Sequence, residues 1–170
     1  MTTGTEAARP VLLAVSGWHN CGKTTLLEAL VQAMKLRGWR VATIKHAAHD
    51  LALDEADSDT GRSWAAGADA VVAVGDSELL IRERRAQVTL YEALARLGPG
   101  YDVVLVEGFK WEPLPRVVIQ MAGQKRLDES RAIAVVDCGE HGLVPGDSRV
   151  ARLVAELLGW ARERLSGDFV

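Results

Sequence analysis

The sequence predicts an α/β domain, a three-layer sandwich around a mostly parallel sheet with helices on both faces. Three observations lead there. Short apolar runs alternate with stretches of helical periodicity, which is the order of a wound α/β sheet. Most of those runs are apolar throughout rather than at every second residue, as strands covered on both faces are. Several of them end in glycine.

The first run, "VLLAVSG" (Val11 to Gly17), predicts a buried strand. "TTLLEALVQAMKLRG" follows it, with Leu26, Leu27, Leu30, Val31 and Met34 on one helical stripe and Gly38 placed as a stop, so a helix is expected. "WRVATIKH" (Trp39 to His46), "ADAVVAVG" (Ala68 to Gly75), "YDVVLVEG" (Tyr101 to Gly108) and "RAIAVVDCG" (Arg131 to Gly139) repeat the look of buried strands, rich in β-branched residues. Two further strands are expected at "SELLIRER", pairing back through "GDS", and at "RVVIQM" (Arg116 to Met121), a sheet neighbour after the "EPLP" turn. Helical periodicity returns in Gln87 to Gly98 and in Ser148 to Leu165, the latter opened by a cap at Asp147 or Ser148.

Length and composition bound the function. A chain of 170 residues suits one domain, here 11–170 after a tail of residues 1–10. Hydrophobic residues at 48% and charged residues at 25% are the ordinary balance of a globular protein. A net charge of -3 carries no footprint for nucleic acid, and the apolar runs are far shorter than a membrane span. The two cysteines, Cys21 and Cys138, lack any disulfide or zinc spacing, which fits a reducing cytoplasm.

The strongest chemical signal is "SGWHNCGKTT". Gly17, Gly22, Lys23 and Thr24 satisfy GxxxxGK[ST] between a predicted strand and a predicted helix, the context that a nucleotide-binding phosphate loop (Walker A) requires. The pattern arises by chance in about one chain in a hundred of this length, before that context is counted. The fold expected is therefore that of the P-loop NTPases. Backbone amides around Asn20, Cys21, Gly22 and Thr25 would meet phosphate oxygens, helped by the positive end of the helix, while Lys23 reaches the β- and γ-phosphates. The Thr24 hydroxyl is the expected ligand of Mg2+.

A second acid stands at the end of "YDVVLVEGF". Glu107 closes a strand at the carboxyl edge, where ligands bind in wound sheets, and is expected beside the magnesium ion. Lys23 and Glu107 are thus the candidate catalytic residues, and Thr24, Glu107 and Asp54 the candidate metal side. Asp102, at the other end of the strand, is read as structural. The stretch from Lys45 to Val71 is the most polar of the chain, with His46, His49, Asp50, Asp54, Asp57, Asp59, Thr60 and Arg62. It leaves a strand's carboxyl end, so its acids are within reach of magnesium, and Lys45 and Arg62 offer charge to phosphate; a solvated acidic loop is the rival reading.

The series "GWHNCGKTT", "VATIKHAAH", "DEADSDTGRSWAAGAD" and "LVEGFK" resembles, in order and spacing, the molybdopterin-guanine dinucleotide biosynthesis adaptor family, MobB. The resemblance implies a cytoplasmic GTP-binding adaptor with weak GTPase activity, GTP and Mg2+ as ligands, and homodimerisation. It also implies a MobA-type molybdenum cofactor guanylyltransferase as partner, with molybdopterin as a further candidate. Gly17, Gly22, Lys23, Thr24 and Thr25 match the family's loop, Lys45 and His46 its second-strand motif, Glu107, Gly108 and Phe109 its "EGF" turn, and Asp54, Asp59 and Thr60 its spaced acidic and hydroxyl positions. Ala56, Asp57 and Ser58 depart from it, standing where relatives commonly carry proline, glycine and lysine.

Two other functions compete on the residues alone. A small P-loop kinase needs arginines on a lid, and "IRERRAQV", with Arg82, Arg84 and Arg85, is the only dense cluster, read here as a strand end and surface turn. A metal-delivery GTPase wants a cysteine or histidine cluster and a guanine-reading NKxD stretch, and neither is present. Asp137 is a possible contact to a purine, or a strand-end turn cap. Trp111 and Trp160 are candidates for a dimer surface.

Overall fold

The computed structural model describes residues 9–47 and 58–167. Contacts gather the chain into two compact units, Met1–His46 with Leu94–Val170, and Ala47–Ala93.

The larger unit holds a five-stranded sheet in which β1 (Val11–Gly17), β2 (Val41–Lys45), β5 (Val103–Glu107), β6 (Arg116–Gln120) and β7 (Ala132–Asp137) stand in the order β2-β5-β1-β6-β7. Every pairing in it is parallel, as predicted. Parallel strands bring all their carboxyl ends to one edge, so Gly17, Lys45, Glu107, Gln120 and Asp137 share it. Helices α1 (Lys23–Lys35) and α4 (Ser148–Leu165) pack on each other and on one face of the sheet. There Leu13, Val15, Leu105 and Ile119 meet Leu26, Leu30, Met34, Leu153 and Leu157 in one fully buried core. The alternate residues Ala14, Val104, Val106 and Val118 point to the other face and are buried as well, which explains why the central strands read as unbroken apolar runs.

Caps set the helix starts. The Asp147 side chain accepts from the Arg149 amide at the head of α4. At α3 (Leu90–Leu97), Thr89 and Glu92 bond each other's backbone amides in a capping box. The β2 strand lies at the sheet edge, so only Ala42 of it is buried. Arg116, buried in β6, donates to the carbonyls of Lys110, Glu112 and Leu114 and so fixes the turn between β5 and β6.

The smaller unit contains α2 (Asp59–Ala65) and an antiparallel hairpin of β3 (Ala70–Val74) and β4 (Leu79–Glu83). The expected return through "GDS" is what forms. Two readings need correction. Residues 59–65 are helical rather than loop, because Ser58 caps the turn by accepting from the Gly61 amide. The strand β3 is not a buried member of the parallel sheet: it has one strand neighbour, and Val72 and Val74 are exposed.

Candidate functional site

The strand β1 runs into the loop predicted to bind phosphate at Gly17, and α1 leaves it at Lys23. Between them Asn20 (φ 58°) and Gly22 (φ 92°) take left-handed conformations that fold the loop back over the helix start. A side chain at Gly22 would run into Leu143, whose Cβ would lie 2.6 Å away. The Leu143 amide donates to the Cys21 carbonyl at 3.0 Å, so the segment before α4 buttresses the loop from behind. Sequence reasoning missed that support, since nothing local in "HGLV" announces it. Gly17 is needed for space, because an added Cβ would strike the Cys21 sulfur. Cys21 is fully buried, and burial pushes its thiol pKa up, so its side chain is packing while its backbone belongs to the loop. His19 and Asn20 are exposed.

No side chain caps α1 and no acid occupies its first turn. Its leading amides and the positive end of its dipole therefore stand open to an anion. Lys23 reaches back to donate to the Trp18 carbonyl at 2.8 Å, and its ammonium lies 4.0 Å from Glu107 Oε1. Glu107 sits across from Val15 of β1 on one side and from Lys45 of β2 on the other. Lys45 Nζ is 3.8 Å from Glu107 Oε2. Thr24, Lys45 and Glu107 line a cavity of about 460 Å³ between α1 and β2, with Leu27, Val31 and Leu105 among its apolar walls.

Beyond Glu107 the chain turns at Gly108 (φ 92°), where a Cβ would come within 2.7 Å of the His46 Cβ. The His46 amide donates to the Glu107 carbonyl at 2.8 Å, and its ring meets Phe109 at 4.8 Å and Trp111 at 5.1 Å. The conformation of Phe109 (φ 45°) is unusual for a side-chain-bearing residue, and the ring is buried. This aromatic group was not foreseen, though "IKH" and "EGFKW" supply it from neighbouring strand ends. Trp111 is 67% exposed, whereas Trp160 packs against the core with Arg164 4.0 Å over its ring.

The structure brings Gly17, Asn20, Cys21, Gly22, Lys23, Thr24, Thr25 and Glu107 to one sheet edge. Asp54, expected at the metal, lies outside the described residues, as do His49, Asp50 and Asp57. Thr24 and Glu107 supply hydroxyl and carboxylate oxygens, the hard donors that magnesium takes, and they share one cavity, so they fit the ion. Among the described residues no group of three or more histidine, cysteine or acidic side chains is placed to hold a metal by itself. Asp137 is at the same edge but bonds Arg126 at 3.3 Å. Asp102 accepts from the Arg40 amide at 2.6 Å and is structural. In the smaller unit Arg82 and Arg84 each stand 4.0 Å from the Trp64 ring, and Arg84 also donates to the Trp64 and Ala68 carbonyls, so these arginines pack a strand end. Among the described residues no helix is long and apolar enough to cross a membrane.

Residues 12–138 match the family model "Molybdopterin guanine dinucleotide synthesis protein B", MobB. The chain is 36% identical over 110 residues to the molybdopterin-guanine dinucleotide biosynthesis adapter protein of Haemophilus influenzae, a match covering 64% of this chain and 62% of that one, under two thirds of its length. It is 34% identical over 126 residues to the Escherichia coli adapter protein, covering 72% of each. Among solved structures, the MobB protein homolog from Bacillus stearothermophilus superposes with a TM-score of 0.58 at 26% identity, over 89% of this chain and 97% of that one.

Proposed function

We propose that this chain, which belongs to the MobB family, is an adapter in the synthesis of molybdopterin guanine dinucleotide that binds GTP with magnesium and hydrolyses it slowly at most. The relatives named as adapter proteins supply the role. The observation that carries the nucleotide part is the open start of α1, with Lys23 and Glu107 facing each other beside it.

The mechanism follows from what these groups can do. The amides of Gly22 to Thr25 and the Lys23 ammonium hold the triphosphate, and Lys23 leaves the Trp18 carbonyl to do so. Thr24 and Glu107 would hold magnesium, and the ion when bound would offset phosphate charge. Water would attack the γ-phosphorus as its bond to the β–γ bridging oxygen breaks, releasing GDP and leaving the water's proton on the freed phosphate, with no strong base on the chain. Turnover is expected to be slow because the glutamine and arginine near this edge are engaged elsewhere, Gln120 with Leu127 and Glu129 and Arg126 with Glu129 and Asp137. Guanine as the base rests on the family. A MobA-type guanylyltransferase in the cytoplasm is the partner, with the nucleotide-loaded adapter raising its output.

Self-association belongs to this reading. The β3–β4 hairpin exposes Val72, Val74, Leu79 and Ile81 together, an apolar surface that suits an isologous dimer better than Trp160, which is packed. Lys23→Ala is expected to abolish binding of magnesium GTP in calorimetry, and wild-type affinity in that variant would remove the site. Addition of this protein with GTP and magnesium to the transferase should raise dinucleotide cofactor output; unchanged output would remove the adapter role.

A further inference from the structure

We propose that Lys45 is the γ-phosphate sensor of the site, the residue through which the chain tells a nucleoside triphosphate from a diphosphate. The inference rests on nucleotide binding at the phosphate loop and assigns the discrimination to one side chain outside the loop motif.

One carboxylate is shared by two lysines. Glu107 has Lys23 at 4.0 Å from one oxygen and Lys45 at 3.8 Å from the other, so two ammonium groups flank one acid that is only 14% exposed. They reach it from different elements. Lys23 belongs to the first turn of α1, whereas Lys45 is the last residue of β2 and stands in register with Glu107 on the adjacent strand. A loop lysine contacts the β- and γ-phosphates, and Glu107 is placed on the metal side, so a cation held by the same carboxylate stands at the γ end of the triphosphate. The cavity between α1 and β2, about 460 Å³ and lined by Thr24, Lys45 and Glu107 together, gives its ammonium room to turn from carboxylate to phosphate.

A purely structural role is a poor account of this lysine. Its side chain is 64% exposed, and an ion pair so exposed adds little to stability. An edge lysine also discourages strand pairing, but any position along β2 would serve for that. With a triphosphate bound, its phosphate oxygens compete with the Glu107 carboxylate for both lysines. Lys23 has β and γ oxygens to meet, and Lys45 has the γ oxygens alone. In the diphosphate complex Lys45 keeps its place beside Glu107.

The test is calorimetric titration of wild type, Lys45→Met, Lys45→Arg and Lys23→Ala with magnesium and either GDP or a non-hydrolysable GTP analogue. Lys45→Met should weaken the analogue about tenfold or more, the scale of one lost charged hydrogen bond, and leave GDP unchanged. Lys45→Arg should restore most of the preference, and Lys23→Ala should lose both ligands. Equal weakening of both ligands in Lys45→Met, or of neither, overturns the sensor while leaving nucleotide binding in place. A wild-type chain that binds neither ligand overturns the nucleotide reading and the sensor with it. Unchanged thermal midpoints in the two Lys45 variants confirm that folding is not being read.

Discussion

The strands β5 and β3 carry nearly the same letters, VVLVE and AVVAV, and live in different surroundings. In β5 the four residues Val103 to Val106 are fully buried, with β1 and β2 hydrogen-bonded on its two sides. In β3 the residues alternate between exposed and half-buried, and Val74 is 79% exposed, because β4 is its one partner. The loop from Gly17 to Lys23 therefore rests on a filled core that holds its left-handed residues in place, while the hairpin keeps an apolar surface exposed. An apolar run announces a strand. It does not announce how many neighbours the strand will have.

The largest effect should separate the two regions outright. Leu105→Ala empties a fully buried position and is expected to cost about 2–5 kcal/mol, whereas Leu79→Ala, at a residue 63% exposed, should cost about 0.5 kcal/mol or less. Denaturant unfolding measures both, and similar losses would break the contrast. Glycines sharpen it at the next level. Gly22→Ala combines a positive φ with a collision against Leu143, and should cost about 1–3 kcal/mol and weaken nucleotide binding. Gly75→Ala at the hairpin meets nothing closer than 3.8 Å and should be tolerated. Thermal midpoints and GTP titrations of the pair decide the point.

Surface character comes next. For the proposed dimer, Val74→Lys with Leu79→Lys should give monomer in light scattering where wild type gives dimer; a wild-type monomer would remove the dimer, and a dimer persisting in the variant would show that this face is not the interface. The smallest effect is expected with pH. Donation by the Arg149 side chain and then by its amide holds the Asp147 carboxyl below the usual carboxylate range. A carboxylate with a lowered folded pKa adds stability that is present above the unfolded value, about pH 4, and is lost as pH falls through the folded one. Asp147→Asn should therefore lower the midpoint slightly at neutral pH and lose less than wild type between about pH 5 and pH 3. Melting followed by circular dichroism at stepped pH measures it; parallel acid limbs would show that the cap has no such role.

Much of this was legible along the chain. The central strands, the helices after Gly22 and Asp147, the hairpin return and the strand–loop–helix setting of the Walker A pattern all follow from patterns within some twenty residues, because caps, turns and periodicity are local physics. The helix at 59–65 was hidden by its polarity, although Ser58 is a good cap for it. The sequence alone determined that the Walker A pattern of Gly17 to Thr25 lies between a strand and a helix and that Glu107 ends a strand. Only the tertiary structure decided that β5 lies between β1 and β2, which puts Lys23 and Lys45 on one carboxylate, and that Leu143 backs Gly22. Those are pairings between segments about 60 to 120 residues apart. They are chosen by which faces can be buried together, and no single stretch of sequence contains that choice.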